Sequence, residues 1–232
     1  GLRQMTEQKR EPFRLLMLII APKLAEKAAA LFERSRVPIQ HQLYGRGTAS
    51  REMMDMLGLD SGEKNVVMTL LTKPSADEML KKLKKDLRLG TSNTGVACTL
   101  PLSGGNSRLI QMVEYACAQG EAQGTRRNNM QENEYQMIVA MVNQGFSEDV
   151  MAAARPAGAA GGTVFHSRRV SSEQSTQFWG ISVQQEKEAV IILSRKEEKL
   201  AIMKAICEKC GMDSDAQGIV LSIPVDSVVG IE

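Results

Sequence analysis

The sequence predicts an α+β protein made of two tandem ferredoxin-like (βαββαβ) sandwiches, each an antiparallel sheet with helices on one face. Three observations predict it. Between Tyr135 and Ile231 the apolar runs fall in the order strand, helix, strand, strand, helix, strand, which defines a split βαβ unit. The same order occurs upstream, and the two copies align with few gaps: Gly218 lies 123 residues after Gly95, Pro224 lies 123 after Pro101, and Arg168 lies 122 after Arg46. A chain of 232 residues has room for two domains of roughly 100 residues. The expected layout is a first domain over 13–104, a linker with one short helix over 105–134 and a second domain over 135–232.

Leu15 to Ala21 is an unbroken apolar run, as expected for a strand central in its sheet. Leu24, Ala28, Leu31 and Phe32 then recur at helical spacing. Residues 38–44 alternate and run into Gly45-Arg46-Gly47-Thr48, where glycines allow positive φ and would leave backbone N–H groups exposed. Asn65 to Leu71 is the third strand. Ser75-Ala-Asp-Glu78 reads as a capping box, opening a helix with Met79, Leu80, Leu83 and Leu87 inside and lysines outside. Gly95 to Pro101 closes the first copy. In the second, Met137 to Val142 is a strand, Ser147-Glu148-Asp149 opens a helix, and Gly161 to Arg168 is the next strand. Ala189 to Leu193 follows, Ser194 to Glu197 is again a capping box, and Gly218 to Val225 is the last strand.

Composition narrows the function. Net charge is +2 with the signs interspersed, which gives no reason to expect a nucleic-acid or membrane surface. The longest apolar run is far shorter than the ~20 residues of a membrane span, and no secretory h-region is evident. A cytoplasmic protein is expected. Aromatics are only 4% against 43% hydrophobic residues, so the cores should be aliphatic and Met-rich. Cys98, Cys117, Cys207 and Cys210 do not form a dense disulfide framework. The CxxC at 207–210 reads as structural thiols, or as a redox or metal site.

The second copy resembles the nitrogen-regulatory PII signalling proteins and their short-loop PII-like relatives. The residues that carry the resemblance are Gly145-Phe146, Ala157 to His166, Phe178 to Ser182, Glu186-Lys187-Glu188, Gly218 to Val225 and Val228-Val229-Gly230. The first copy shares chiefly Gly45 to Thr48, Leu57-Gly58-Leu59 and Gly95 to Pro101. The resemblance implies a trimer that binds an adenine nucleotide in clefts between subunits and moves a loop onto a regulated enzyme or transporter in nitrogen metabolism. It therefore implies a small-molecule effector, a protein partner and a homo-oligomer, with no catalysis. Two trimeric layers, or halves alternating in a ring, would both suit a tandem chain.

Position by position, Gly161, Gly162 and Thr163 match the family's turn before the second strand. The family's later glycine survives as Gly47 in the first copy and is Arg169 in the second. Gly218 ends the phosphate loop, but Ile219 stands at its lysine, and Gly230 and Glu232 stand at two phosphate-clamping arginines. Each lost cation removes a charge-assisted bond of roughly 1.5–3 kcal/mol, and Asp213 and Asp215 would repel a triphosphate.

The ligand-binding candidates are thus Gly161, Gly162, Thr163, His166, Arg168 and Gly218 with Gly45, Arg46, Gly47 and Thr48. Gly45 to Thr48 is either a phosphate cradle or a plain turn, and His166 with Arg168 either an anion-holding strand face or an ordinary polar one. Met53, Met54 and Met56 suit a docking patch or packing, and Trp179 a packed anchor. No nucleophile–base pair, paired-carboxylate site or GxxxxGK[ST] loop is present, so an enzyme is not expected. Glu186 and Glu188 read as strand-edge charges. The alternatives to a sensor are an assembly module without ligand, and metal handling through Cys207, Cys210 and His166, as in copper-tolerance relatives of the fold.

Overall fold

The computed structural model describes residues 12–37, 40–48, 62–102, 107–119, 134–168 and 186–231. Each copy has the expected element order. The first runs β1 (Phe13–Ile20), a 3-10 turn (Pro22–Leu24), α1 (Ala25–Arg34), β2 (His41–Gly47), β3 (Glu63–Thr72), α2 (Lys73–Asp86) and β4 (Gly95–Pro101). After α3 (Ser107–Gln119) the second runs β5 (Tyr135–Asn143), α4 (Ser147–Ala154), β6 (Thr163–Arg168), β7 (Glu186–Arg195), α5 (Lys199–Cys210) and β8 (Ile219–Val225), followed by β9 (Ser227–Val229).

The strands form one nine-stranded sheet in the order β8-β5-β7-β6-β2-β3-β1-β4-β9. Within each copy the local order is fourth, first, third, second, with every neighbour antiparallel, which is the ferredoxin-like arrangement. The apolar run of β1 lies between β3 and β4, which is why it carries no polar alternation. The copies join edge to edge through β2 and β6.

Strand alternation sends side chains to two faces, and three cores result. Leu16, Leu18 and Ile20 meet Phe32, Met79 and Leu83 under the helices of the first copy. Ile138, Ala140 and Val142 meet Met151, Ile202 and Ile206 under those of the second. The third core lies between the helix-free faces, where Met17, Val66, Cys98 and Leu100 pack with Met137 and Val225. Burial alone pushes the Cys98 thiol up to about 12, so it stays a protonated core residue. The two halves of the sheet therefore close on each other inside one chain.

The C-terminal segment fastens that closure. β9 pairs with β4 of the first copy, the Asp226 amide donates to the Thr99 carbonyl at 2.8 Å, and the Asp226 carboxylate takes Arg14 at 3.0 Å and Lys73 at 3.6 Å. Arg14 is largely buried, so a mutation to Asp226→Ala strands a cation and is expected to cost about 2–4 kcal/mol, read as a lower urea midpoint.

Two local expectations are corrected. Helix α2 begins at Lys73, with Thr72 as N-cap and Pro74 in the first turn. Ser75 thus sits inside the helix, accepts from the Thr72 hydroxyl at 3.1 Å and caps nothing, because proline pre-sets the helical φ earlier. Ser194 lies within β7, and α5 begins after Glu198; a strand paired as far as Arg195 leaves no free serine to cap. The helix expected in the 105–134 stretch is α3, which spans 13 residues and buries Val113 completely. Trp179, Met53, Met54, Met56, Arg169 and residues 171–177 lie outside the described residues.

Candidate functional site

The β2–β6 seam gathers most of the candidates. Arg46 pairs with Val164 and Gly47 with Thr163, so the two glycine-bearing stretches, more than a hundred residues apart, become neighbours. The Thr48 amide donates to the Gly162 carbonyl at 3.2 Å, and the Gly162 amide donates to the Thr48 hydroxyl at 3.0 Å. Arg155 donates to the Thr48 carbonyl at 2.5 Å. A side chain on Gly45 would meet Phe165 at 2.9 Å and the Val164 carbonyl at 3.1 Å. Glycine is there because two backbones approach closely.

This overturns one expectation. The Gly47 amide donates to the Gly62 carbonyl at 2.5 Å and the Thr48 amide to Gly162, so neither is exposed for a phosphate. The stretch is an edge strand that found a partner edge, which its own local sequence could not show. Gly218 is not at the seam. It immediately precedes β8, which lies beyond β7 and β5, and its amide caps α5 by donating to the Cys210 carbonyl at 2.9 Å.

Arg46 is the polar centre of the seam. Its guanidinium donates to the Ser147 hydroxyl at 2.8 Å and to Glu188 Oε1 at 3.3 Å, and its side chain remains 45% exposed, accessible from solvent. Glu188 Oε2 accepts the Ser147 amide at 3.0 Å and the Gly145 amide at 3.3 Å. A buried carboxylate thus sits at the amide-rich start of α4, where the helix dipole favours negative charge. Burial pushes the Glu188 carboxyl up, but the Ser147 hydroxyl and amide, the Gly145 amide and Arg46 outweigh it and leave the group below its ordinary range.

His166 is exposed and stands opposite Glu188 in the β6–β7 ladder, as Arg168 stands opposite Glu186. Arg46 stands likewise opposite Glu63, so the two arginines are equivalent in the repeat. They are not brought together: Arg168 lies four residues beyond Val164, about 13 Å along an extended strand. Tyr44, 75% exposed, shares the face of Arg46 two residues away. Beneath the site Lys187 donates to Asn143 Oδ1, and the Asn143 amide group donates to the Asp215 carbonyl at 2.8 Å.

Sequence reasoning missed Glu188, Ser147 and Arg155. One signal was present: Glu188 has the parity of Val190 and Ile192, both in the helix-side core, so alternation places it under α4. No rule of spacing links it to Arg46.

No protein-family model and no characterised protein matches the sequence. Solved structures similar to the chain include two that align over less than half of it. Arabidopsis thaliana PII bound to citrate is 18% identical over 42% of this chain and 81% of its own, with a TM-score of 0.32. The divalent ion tolerance protein CutA1 from Ehrlichia chaffeensis is 12% identical over 46% and 96%, with a TM-score of 0.36. A microcompartment protein from Desulfitobacterium hafniense is 9% identical over 91% and 94%, with a TM-score of 0.29. The ferredoxin-like assignment rests on the strand order itself. Among the described residues no cluster of three or more His, Cys, Asp or Glu could hold a metal. Cys207 is exposed and Cys210 buried, with burial and Asp149 pushing the Cys210 thiol up against the pull of Lys209. Among those residues, no helix is long and apolar enough to cross a membrane.

Proposed function

We propose that this chain is a PII-like regulatory protein, not an enzyme, that binds a small anionic effector at the seam between its repeats and relays occupancy to a protein partner. The observation that supports this is the convergence at β2–β6 of Arg46, Arg155 and the 45–48 and 161–163 stretches. Arg46 offers its remaining donors to solvent, and Tyr44 offers a ring on which a base can stack. An adenine nucleotide is the effector class we favour, with Arg46 rather than the backbone amides meeting its phosphate, in a homo-oligomer of the trimeric kind.

A thermal-shift panel of adenine nucleotides, 2-oxoglutarate and bicarbonate tests the reading. One effector should raise the melting temperature through about 2.7 kcal/mol of linkage at a hundredfold excess over its dissociation constant, and Arg46→Ala should abolish the shift. A flat panel from folded protein would overturn it. A second reading has its own support. Glu188 already occupies both Arg46 and the α4 amides, which suits an assembly module whose seam is satisfied internally.

A further inference from the structure

The first repeat carries a cleft of about 30 Å³ between the end of α1, one flank of α2 and the end of α3, lined by none of the seam residues. Arg34, Arg36 and Lys82 line it with Glu78, Ser75 and Cys117. Among the described residues neither Arg34 nor Lys82 has an ion-pair partner. Ser75 is nine-tenths buried.

Comparison of the two repeats shows that this cleft is built only once. Both first helices end in the same cap: the Arg36 amide donates to the Glu33 carbonyl and Val37 to Phe32, as Gly158 donates to Arg155 and Ala159 to Ala154. The residue at the cap is left-handed in both, φ 54° at Arg36 and 114° at Gly158. Such a cap ordinarily takes glycine. The first repeat instead holds an arginine there at some cost in strain, as Arg88 does at φ 54° after α2, and of the two only Arg36 lines the cleft.

The neighbours change with it. In the second repeat a Cβ on Gly158 would meet the Glu198 side chain at 3.0 Å. The counterpart of Glu198, by the register of core residues Met79 and Leu83 against Ile202 and Ile206, is Ser75, whose short side chain leaves the space open. The matched caps, Arg36 against Gly158, set Pro156 against Arg34, and the core register of the second helices sets Ala205 against Lys82. All three cations are therefore peculiar to the first repeat. Helix α3, which has no counterpart among the described residues of the second, completes the wall, and its Gln119 carbonyl accepts from Arg36 at 3.4 Å, holding the guanidinium over the opening.

We propose that this cleft binds a small oxyanion of the phosphate class, free or as the head of a larger ligand, through Arg34, Arg36, Lys82 and the Ser75 hydroxyl. Three cations and one carboxylate leave a net positive cleft. Its enclosed volume suits a group of a few heavy atoms such as a tetrahedral ion, and guanidinium groups match phosphate geometry.

Calorimetric titration of the full chain at low ionic strength, with inorganic phosphate and in parallel with glycerol 3-phosphate, tests this. Arg36→Gly relieves the left-handed strain, so its melting temperature should hold or rise while phosphate affinity falls at least about tenfold. Lys82→Gln should weaken binding and Glu78→Gln should tighten it. Equal affinity for both probes identifies the free ion, and a clear preference for the ester identifies a larger ligand; either supports the site. No binding at millimolar concentration by well-folded protein, or unchanged affinity in both Arg36→Gly and Lys82→Gln, would overturn it. Arg46→Ala should leave this binding intact, which separates it from the seam.

Discussion

Glu188→Gln is expected to destabilise the fold by about 2 kcal/mol at neutral pH, because a buried carboxylate holding two helix-start amides and an arginine gives way to a weaker neutral acceptor. The pH dependence is the sharper test. Folding holds the Glu188 carboxyl below its ordinary value of 4.5. A lowered folded-state pKa means stability that is complete above the unfolded pKa and is lost as pH falls through the folded one. The gap between wild type and Glu188→Gln should therefore be full at pH 7 and shrink below about pH 4. Denaturant unfolding across that range measures it. A gap that stays constant down to pH 2 would mean that folding does not shift the Glu188 carboxyl. Arg46→Ala alone should cost less, since its side chain is 45% exposed and solvent screens the charge.

Gly95→Ala is expected to be among the most damaging single changes, at about 3–5 kcal/mol. Its φ is +146°, and a Cβ would lie 2.1 Å from the Ile19 carbonyl oxygen, a backbone atom in the core strand β1. Its repeat counterpart Gly218 meets the Cys210 carbonyl oxygen at 2.0 Å, so Gly218→Ala should be comparably severe through packing alone. Gly161→Ala is the control, with nothing within 4 Å of the added methyl; a change within about 0.5 kcal/mol is expected. Urea midpoints for the three variants decide the matter. Gly218 and Gly161, alike as ligand candidates, should separate into one that packs and one that does not.

The repeat and the fold were legible because they rest on local periodicity. The apolar run at 15–21, the helix-spaced leucines of α2 and the matched glycines and prolines each state which way a residue must face, whatever lies across from it. Even the cap at Arg36 and Gly158 is a local event that repeats at the expected interval. What the sequence could not determine was which strand edge meets which. That Gly45 to Thr48 would lie against Gly162 and Thr163, that Glu188 would turn under α4 to hold Arg46, and that Asp226 would reach back to Arg14 all depend on closing loops of roughly a hundred residues or more. Such contacts are set by how the two half-covered halves of the sheet hide their remaining apolar faces, a property of the assembled surfaces. The elements were therefore written in the chain, and the site was written in their docking.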